Sequence, residues 1–430
     1  MKTFSENDKV PRVLLFATTT GYQTRAFGDA ADRLGVELVF ATDRCHMLDD
    51  PWQDRAIPIR FYDEQASVDA ILDAARTNPI DGVLVVGDRP TVIAARVAEA
   101  LGLPGHPPAA AAIARNKRLL RERLGESGLP APSFVVASLD ADPRAVVRSM
   151  SFPAVIKPVA LSGSRGVMRV DDPTGLRAAF ARLGRLLQSA DVLAERDAAH
   201  QVVLVEDFIP GRERAVEALM HHGDLHVLAL FDKPDPLDGP FFEETIYVTP
   251  SSEPPEVQRA IGDAVRRAAS AIGLRHGPIH AECRVNANGV FVLEVAARPI
   301  GGLCARALRF EEQVPLEELL LRHALGESPD RWRRESDASG VMMIPIPRRG
   351  IFRGISGVDA ALAVDGVEVV EITAKTDQRL VPLPEGASYL GFIFARGESA
   401  AFVERALRAA HAALEFAVDP EWQVVQSHHG

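Results

Sequence analysis

The stretch GPIHAECRVNANGVFVLEVAARPIGG, Gly277–Gly302, contains two short apolar runs on either side of residues 286–289, NANG. An Asn-Gly step between two such runs is a strong signal for a β-hairpin. A hairpin centred on residue 288 places Glu282 opposite Glu294, and their even separation lets both carboxylates point to one face. Two carboxylates at such a short distance repel each other unless a cation or a proton lies between them. Such oxygen ligands suit Mg²⁺, which commonly keeps substrate phosphates as its other ligands, so the pair is a candidate nucleotide–metal site.

A solvated strand face is the plainer interpretation of a glutamate in a strand. Glu294, however, lies in the apolar run VFVLEVAA, which favours a buried strand. An unpaired carboxylate is costly in such a position. The two interpretations stay open on these two residues alone.

Size, composition and charge indicate a soluble protein with several domains. At 430 residues the chain is too long for one core and should form about three domains. The net charge of −11 argues against general binding to nucleic acids or anionic membranes. The N-terminus lacks a signal-peptide core, and no apolar run approaches the roughly 18 residues of a membrane span. Cys45, Cys283 and Cys304 are widely spaced, which favours a reducing cytoplasm over a disulfide framework.

Strand-like runs and helical patterns alternate over the first quarter of the chain. In order, they lie at 12–18, 23–34, 37–41, 68–77, 82–86 and 91–101. This alternation predicts a parallel sheet with crossover helices. We therefore predict an N-terminal α/β domain over residues 1–107.

The rest of the chain follows a different pattern. One helical pattern at 109–128 precedes extended segments, a long helix and the glutamate hairpin, and the runs typical of an antiparallel sheet lie at 204–208, 215–220 and 225–231. We predict a second domain over 108–330. From about residue 341, short strands with many Gly and Pro turns end in a helix at 401–414, which predicts a small α+β domain over 331–430.

A glycine-rich loop follows a predicted strand that delivers Lys157. Its residues are Ser162, Gly163, Ser164, Arg165 and Gly166. Glycines let the backbone approach a ligand closely and turn its N–H groups toward phosphate. A simple hairpin turn is the alternative. The loop is not a Walker A motif, and the chain lacks a GxGxxG after the first strand, an HExxH and a GxSxG.

His276, His280 and Cys283 are close in sequence but do not follow the spacing of a zinc site. A strand places Cys283 on the face opposite His280. Packing is the better interpretation of Cys283, and contact with substrate or phosphate that of His280.

The order of several motifs resembles the ATP-grasp superfamily. These motifs are Asn116-Lys117, FPAVIKP at 152–158, SGSRGV at 162–167, VEDFIPGRERAVE at 205–217 and the hairpin glutamates. Within that superfamily the chain is similar to carboxylate–amine ligases, especially L-amino-acid (dipeptide) ligases. The resemblance covers nearly the whole chain, and residues 108–310 are its most specific part. It implies an ATP-grasp fold, both α/β and α+β, with a Rossmann-like first domain, an ATP-binding lid at about 130–210 and a small C-terminal α+β domain.

The resemblance also implies which residues bind ATP and Mg²⁺ (or Mn²⁺). Lys117 and Lys157 would contact the phosphates, and the glycine-rich loop would close over them. Lys233 would meet the terminal phosphate, and Glu282 with Glu294 would hold the metal. The residues expected around adenine and ribose are Glu206, Phe208, Ile209 and Glu213.

The first departure from the family pattern lies in the metal-binding motif. The usual Glu-x-Asn metal motif reads Glu294-Val295-Ala296 here, followed by Ala297-Arg298. The dipeptide-ligase branch shows this Glu-x-Ala-Ala-Arg pattern, with the arginine toward the acyl phosphate, where it would stabilise developing charge.

In the same branch, FEET at 242–245 would contact the acceptor substrate, with Glu244 on its ammonium group. Tyr247 replaces a histidine often found there, which leaves the amino acid open. Gly301 and Gly302 would let the backbone lie close to the substrate.

The resemblance implies ATP-dependent ligation of a carboxylate, such as an amino acid, to an amine through an acyl phosphate. Another ATP-grasp ligase, similar to glycinamide-ribonucleotide synthetase or biotin carboxylase, is the alternative. A nucleotide-binding protein without catalysis is the third interpretation. The expected partners are small molecules, with no nucleic acid and no membrane, and a homodimer is expected because such ligases are often dimers.

Overall fold

The computed structural model describes residues 10–17, 22–43 and 56–421 of the chain, so Cys45 lies outside the described residues. Cys283 and Cys304 are buried free thiols. Of the helices in the described ranges, none combines the length and hydropathy that crossing a bilayer requires.

The N-terminal part is a parallel sheet covered by helices. Its four strands are in the order β3-β2-β1-β4, and β1 is buried over most of its length because it is a continuous apolar run. The elements are β1 (Arg12–Ala17), α1 (Tyr22–Leu34), β2 (Glu37–Asp43), β3 (Ile57–Ile59), α2 (Glu64–Thr77), β4 (Gly82–Val86) and α3 (Thr91–Leu101).

The single helix predicted at 109–128 is two helices in the structure, α4 (Pro108–Arg115) and α5 (Lys117–Glu126). Asn116 breaks the run, because its backbone is extended and its side chain accepts hydrogen bonds from the amides of Arg118 and Leu119. Asparagine favours such a capping position over a helix interior. As a result, Lys117 starts α5.

A small antiparallel sheet forms the next lobe, with the strand order β5-β8-β6-β7. One face of this sheet packs on the apolar face of its longest helix. The elements are β5 (Phe134–Ser138), α6 (Pro143–Val147), β6 (Ala154–Pro158), β7 (Met168–Val170), α7 (Pro173–Leu187), α8 (Ala190–Leu193) and β8 (Val202–Asp207). The run predicted at 204–208 therefore belongs to a different sheet from the runs at 215–220 and 225–231.

The core of the protein is an eight-stranded sheet in the order β13-β12-β9-β10-β11-β16-β20-β18. Its first part comprises β9 (Arg212–His221), β10 (Asp224–Asp232), β11 (Ile246–Thr249), α9 (Pro255–Ile272), β12 (Gly277–Asn286), β13 (Gly289–Ala296), β14 (Arg309–Phe310), β15 (Val314–Pro315) and α10 (Leu316–Ala324).

The C-terminal part continues this sheet, because β16 pairs with β11 through Ile246 and Met342. The elements are β16 (Ala338–Ile344), β17 (Gly350–Ser356), α11 (Val358–Leu362), β18 (Val367–Ile372), β19 (Arg379–Leu380), β20 (Gly391–Gly397), α12 (Ala400–Ala412) and β21 (Glu415–Asp419). The predicted fold class is confirmed. The domain limits 1–107, 108–330 and 331–430 stay a prediction. The large sheet continues across the limit between residues 330 and 331.

Candidate active site

A cleft lies between the small sheet of the lobe and the large sheet of the core. It brings together most of the residues that the sequence analysis singled out for ATP and metal. Those that line it are Lys117, Lys157, Ser162, Gly163, Ser164, Glu206, Phe208, Ile209, Glu213, Glu244, Glu282 and Glu294. Lys233, Tyr247, His280 and Arg298 do not line this cleft themselves. Lys233, Tyr247 and His280 each contact Glu282, one of the acidic side chains that line it.

The glutamate hairpin forms, and Glu282 pairs with Glu294 as predicted, but its turn is displaced by half a residue. The two-residue loop is Ala287-Asn288, which by itself would place Leu293 opposite Glu282. A β-bulge at Leu293 inserts one residue and brings Glu294 into register. The carbonyl of Leu293 accepts a hydrogen bond of 2.9 Å from Arg121 Nη1. The bulge therefore both aligns the glutamates and binds a buried cation.

The ammonium group of Lys233 lies among three carboxylates. Its Nζ donates hydrogen bonds of 2.9 Å to Glu213 and 2.9 Å to Glu282, and a third to Glu244. Burial alone would lower the pKa of Lys233, but the three carboxylates raise it well above the ordinary value. Burial and the neighbouring Glu282 raise the pKa of Glu244 to about 8. Lys233 thus keeps an acidic cluster together that would otherwise repel itself.

Glu206 is held by two cations. Arg121, which is fully buried, donates to both of its carboxylate oxygens at 2.8 and 3.2 Å, and Lys157 donates a further hydrogen bond. Burial would raise the pKa of Glu206, but Arg121 and Lys157 lower it to about 2. Glu206, which is expected around adenine and ribose, therefore already has two ion-pair partners in the structure.

The two lysines predicted for phosphate point into the cleft from different elements. Lys117 Nζ donates to the carbonyl of Leu161 at 2.9 Å and lies 3.4 Å from Glu294 Oε2. Burial lowers the pKa of Lys157 to about 8, although Glu206 opposes the shift.

The glycine-rich loop that follows Lys157 has positive φ at Gly163, Ser164 and Gly166. The backbone therefore adopts left-handed conformations, which Gly163 and Gly166 allow because glycine has no Cβ. Arg165 does not point to the phosphate region. Its Nε donates to the carbonyl of Glu385 at 2.8 Å, in the C-terminal part of the chain.

Arg298 is held by an acidic residue of the N-terminal sheet. Asp88, two residues beyond the end of β4, accepts from Arg298 Nε at 2.8 Å and from Nη2 at 3.1 Å. Burial would raise the pKa of Asp88, but the Arg298 guanidinium lowers it. This two-point ion pair fixes the plane of the guanidinium. Gly301 lies next to it, 4.0 Å from Arg298 Nη1 when a Cβ is placed on the glycine.

His280 lies between two carboxylates. Its Nδ1 is 3.1 Å from Glu217 Oε2, and its Nε2 is 3.8 Å from Glu282 Oε1. Burial would lower the pKa of His280, but hydrogen bonding to Glu217 and Glu282 raises it to about 9. Glu217 also accepts from the amide of Ile300. Both Glu213 and Glu217 are buried, and neither lies on a solvated strand face.

Tyr247, which is predicted to contact the substrate, lies next to this acidic cluster. Tyr247 is buried in β11, with its hydroxyl 3.5 Å from Glu282 Oε1 and its ring below Lys233 Nζ at 5.0 Å. Gly302 has a left-handed backbone, with φ of +62°. Phe208 lies under the guanidinium groups of Arg169 and Arg284 at 4.5 and 5.0 Å.

Sequence reasoning missed three charged residues that position these groups, namely Asp88, Arg121 and Arg284. Arg284 Nε donates to Glu213 at 3.0 Å, and its Nη1 donates to the carbonyl of Ile209 at 3.0 Å. Arg284 follows Glu282 by two residues in a strand, so a shared face was the available signal. Asp88 and Arg121 have no such signal, because their partners are distant in sequence.

Three regions of the chain match known families. Residues 28–105 match the ATP-grasp N-terminal domain, residues 150–307 the ATP-grasp domain and residues 342–419 the L-amino acid ligase C-terminal domain 2. The solved structure of an L-amino acid ligase from Bacillus licheniformis is similar, with a TM-score of 0.77 and 28% identity, over 96% of this chain and 100% of that one. This chain is an ATP-grasp enzyme that resembles L-amino acid ligases.

Two further proteins are similar to this ATP-grasp enzyme in sequence. An uncharacterised protein of Sinorhizobium fredii, y4rH, is 24% identical over 97% of this chain and 85% of its own length. The alanine–anticapsin ligase of Bacillus subtilis is 26% identical over 60% of this chain and 57% of its own length. The chain therefore spans little more than half of that ligase.

The acidic cluster of this ATP-grasp enzyme fits a hard divalent cation. Oxygen atoms of Glu213, Glu244 and Glu282 lie within 4.8 Å of one another, and Glu294 pairs with Glu282 across the hairpin. Carboxylate oxygens are the ligands that Mg²⁺ prefers. Lys233 provides positive charge among these carboxylates in the structure.

Proposed function

We propose that this enzyme joins the carboxylate of an amino acid to an amine, with cleavage of ATP to ADP and phosphate. The observation that carries the proposal is the cleft itself, in which buried lysines, a glycine-rich loop and an acidic cluster converge. The match of residues 342–419 to an L-amino acid ligase domain favours this reaction over the alternatives similar to glycinamide-ribonucleotide synthetase and biotin carboxylase.

In the first step, a carboxylate oxygen of the substrate attacks the γ-phosphorus of ATP and the bond to the β-phosphate oxygen breaks. An acyl phosphate forms and ADP leaves. Lys117 and Lys157 neutralise phosphate oxygens, and the loop at 162–166 excludes the water that would hydrolyse the acyl phosphate. Glu282 and Glu294 would hold Mg²⁺, which would supply further neutralisation of phosphate charge.

In the second step, the amine nitrogen attacks the acyl carbon, the carbon–oxygen bond to phosphate breaks, and phosphate leaves. Arg298, oriented by Asp88, stabilises the oxyanion. The attacking amine must first lose a proton. Glu244 lines the cleft beside Glu282, and it is the carboxylate that we assign to hold the ammonium group and accept this proton.

The alternative roles of the cleft predict different products. A matrix of amino-acid pairs with Mg²⁺ and ATP, read by phosphate release and product mass, identifies the two substrates. We expect ADP release that depends on a second amino acid, and a product with the mass of the condensed pair. ATP cleavage that instead needs phosphoribosylamine or bicarbonate supports the other ATP-grasp ligases, and nucleotide binding without turnover supports a binding protein.

The assignment of the residues is tested with Glu294→Ala and Arg298→Ala. We expect each to lower product formation at least roughly 10²-fold, since each removes charge stabilisation at the reacting phosphate or oxyanion. Arg408→Ala is the matched control, because Arg408 lies in an exposed ion pair on α12. Near-normal product formation by either active-site variant contradicts the assignment.

The proposal includes a cytoplasmic location and small-molecule substrates, and it keeps the expected homodimer as a prediction. Static light scattering of the full chain decides between monomer and dimer.

A further inference from the structure

A group of histidines lies away from the cleft, at the junction of three elements. His221 ends β9, His276 immediately precedes β12, and His323 lies in α10. The rings of His276 and His323 are stacked, with centroids 4.1 Å apart and planes at 9°. His221 Nδ1 lies 3.2 Å from His323 Nε2. His276 thus meets two histidines that are distant in sequence, not His280 or Cys283.

The nitrogen atoms of these three residues are close enough to bind one ion. One ring nitrogen of each residue lies within 4.8 Å of the other two. Zinc–nitrogen bonds of about 2.0–2.1 Å in a tetrahedron place neighbouring nitrogens about 3.3 Å apart. The separation of 3.2 Å between His221 and His323 already has this value. The ring of His276 is stacked on that of His323, so it must turn out of the stack to direct a nitrogen to the same point.

One buried nitrogen in the group lacks a partner. His276 is 5% exposed, and its Nδ1 makes no hydrogen bond among the described residues. A buried polar atom without a partner is costly, and stacking of the rings does not satisfy it. The opposite ring nitrogen, Nε2, faces the carbonyl of His323 at 3.5 Å. A proton on Nε2 leaves Nδ1 as a free lone pair, which is the arrangement of a metal-binding histidine with a carbonyl behind it.

The group is also open to an ion from one side. His221 is partly exposed and His222, the next residue, is exposed in the turn between β9 and β10. The ring centroid of His222 lies 4.9 Å from that of His276. Burial lowers the pKa of both His276 and His323.

We propose that His221, His276 and His323 form a Zn²⁺ site, separate from the ATP-binding cleft, with water or His222 as the fourth ligand. Imidazole ligands without carboxylates select a transition metal over Mg²⁺. Helix α10 packs against β12 and against β4 of the N-terminal sheet. A metal bound to the three histidines braces this junction, so its role is structural and does not depend on the proposed ligase activity.

The test uses the full chain without a histidine tag, freed of metal by a chelator. Zn²⁺ is titrated in excess Mg²⁺ against a chromophoric chelator of known affinity, and Co²⁺ is added separately to record its visible spectrum. We expect one equivalent of Zn²⁺ with a Kd of micromolar or below, a rise in Tm, and the absorption of tetrahedral Co²⁺. A Kd for Zn²⁺ that is weaker than micromolar overturns the proposal.

Two single variants and two controls locate the ion. His276→Asn and His221→Asn should each weaken Zn²⁺ binding by at least roughly 100-fold and abolish the rise in Tm. His221→Asn keeps the test valid if the buried variant fails to fold, because His221 is partly exposed. His411→Gln, on α12, and Glu282→Gln, in the cleft, should bind Zn²⁺ as the wild type does. Unchanged binding by a folded histidine variant, or loss of binding by a folded Glu282→Gln protein, overturns the site.

Discussion

At the scale of single residues, the site is built from buried charges that neutralise one another. Lys233 is shared by three glutamates, Glu206 by two cations, and Arg298 is held by Asp88. Removing one partner of such a pair leaves an uncompensated buried charge, which is far costlier than losing a surface ion pair. The charges that we assign to catalysis are therefore also needed for folding.

The pH dependence of stability should reveal the charge on His280. The pKa of His280 is about 9 in the folded protein, raised from its ordinary value of 6.5. The stabilisation from its protonated form is therefore fully present below pH 6.5 and is lost as pH rises through 9. We expect the free energy of unfolding of the wild type, relative to His280→Gln, to fall by on the order of 3 kcal/mol across this window.

Urea unfolding at a series of pH values measures this difference. His411→Gln is the matched control, because burial lowers the pKa of His411 and its loss should show no such fall between pH 6.5 and 9. A difference between wild type and His280→Gln that stays constant over the window would mean that His280 is neutral in the folded protein.

At the scale of elements, the glycine-rich loop is tied to the C-terminal part of the chain. The amide of Gly166 donates to the carbonyl of Pro384 at 2.8 Å. Glu385 accepts from Arg182 Nε at 2.6 Å and Nη2 at 2.9 Å, and its carbonyl accepts from Arg165. The segment around residues 384–385 therefore holds both the loop and helix α7.

Weakening this attachment should let water reach the acyl phosphate. We expect Glu385→Ala to raise the ratio of phosphate released to product formed by several-fold, because a loosened loop excludes water less well. The measurement compares phosphate and product in the same reaction. Glu398→Ala, an exposed glutamate just before α12, is the control, and a wild-type ratio in Glu385→Ala would show that the contact does not govern loop closure.

At the scale of the whole molecule, the large sheet joins the candidate active site to the C-terminal part. Lys233 and the glutamate hairpin lie at or near strands β10, β12 and β13, whereas β16, β20 and β18 complete the same sheet. Because the strands are hydrogen-bonded in one continuous order, their unfolding should be coupled.

A core substitution on the C-terminal side tests this coupling. Ile393 is fully buried in β20, so Ile393→Ala should lower the free energy of unfolding by about 2–5 kcal/mol. We measure two urea midpoints, one for the loss of circular dichroism and one for the loss of binding of a fluorescent ATP analogue. We expect both midpoints to shift to lower urea concentration by the same amount. Val227→Ala, on an exposed position of β10, is the control, and a shift confined to circular dichroism would show that the two parts unfold separately.

The sequence by itself determined the elements and much of the candidate site. Apolar runs, turns and motif order are local patterns, so they predicted the N-terminal parallel sheet, the glutamate hairpin and the convergence of Lys117 and Lys157 with the glycine-rich loop. The split of one predicted helix at Asn116 was also a local signal, since asparagine is a capping residue.

Only the tertiary structure decided which partner each charge has. A bulge at Leu293, and not the turn alone, aligns Glu282 with Glu294. Asp88 reaches Arg298 across 210 positions of the chain, and Arg121 reaches Glu206 across 85. Such pairs depend on how sheets pack and on the cost of burying a charge, neither of which has a period or a spacing in the sequence. The same holds for the three histidines, which meet because the ends of two strands and one helix meet.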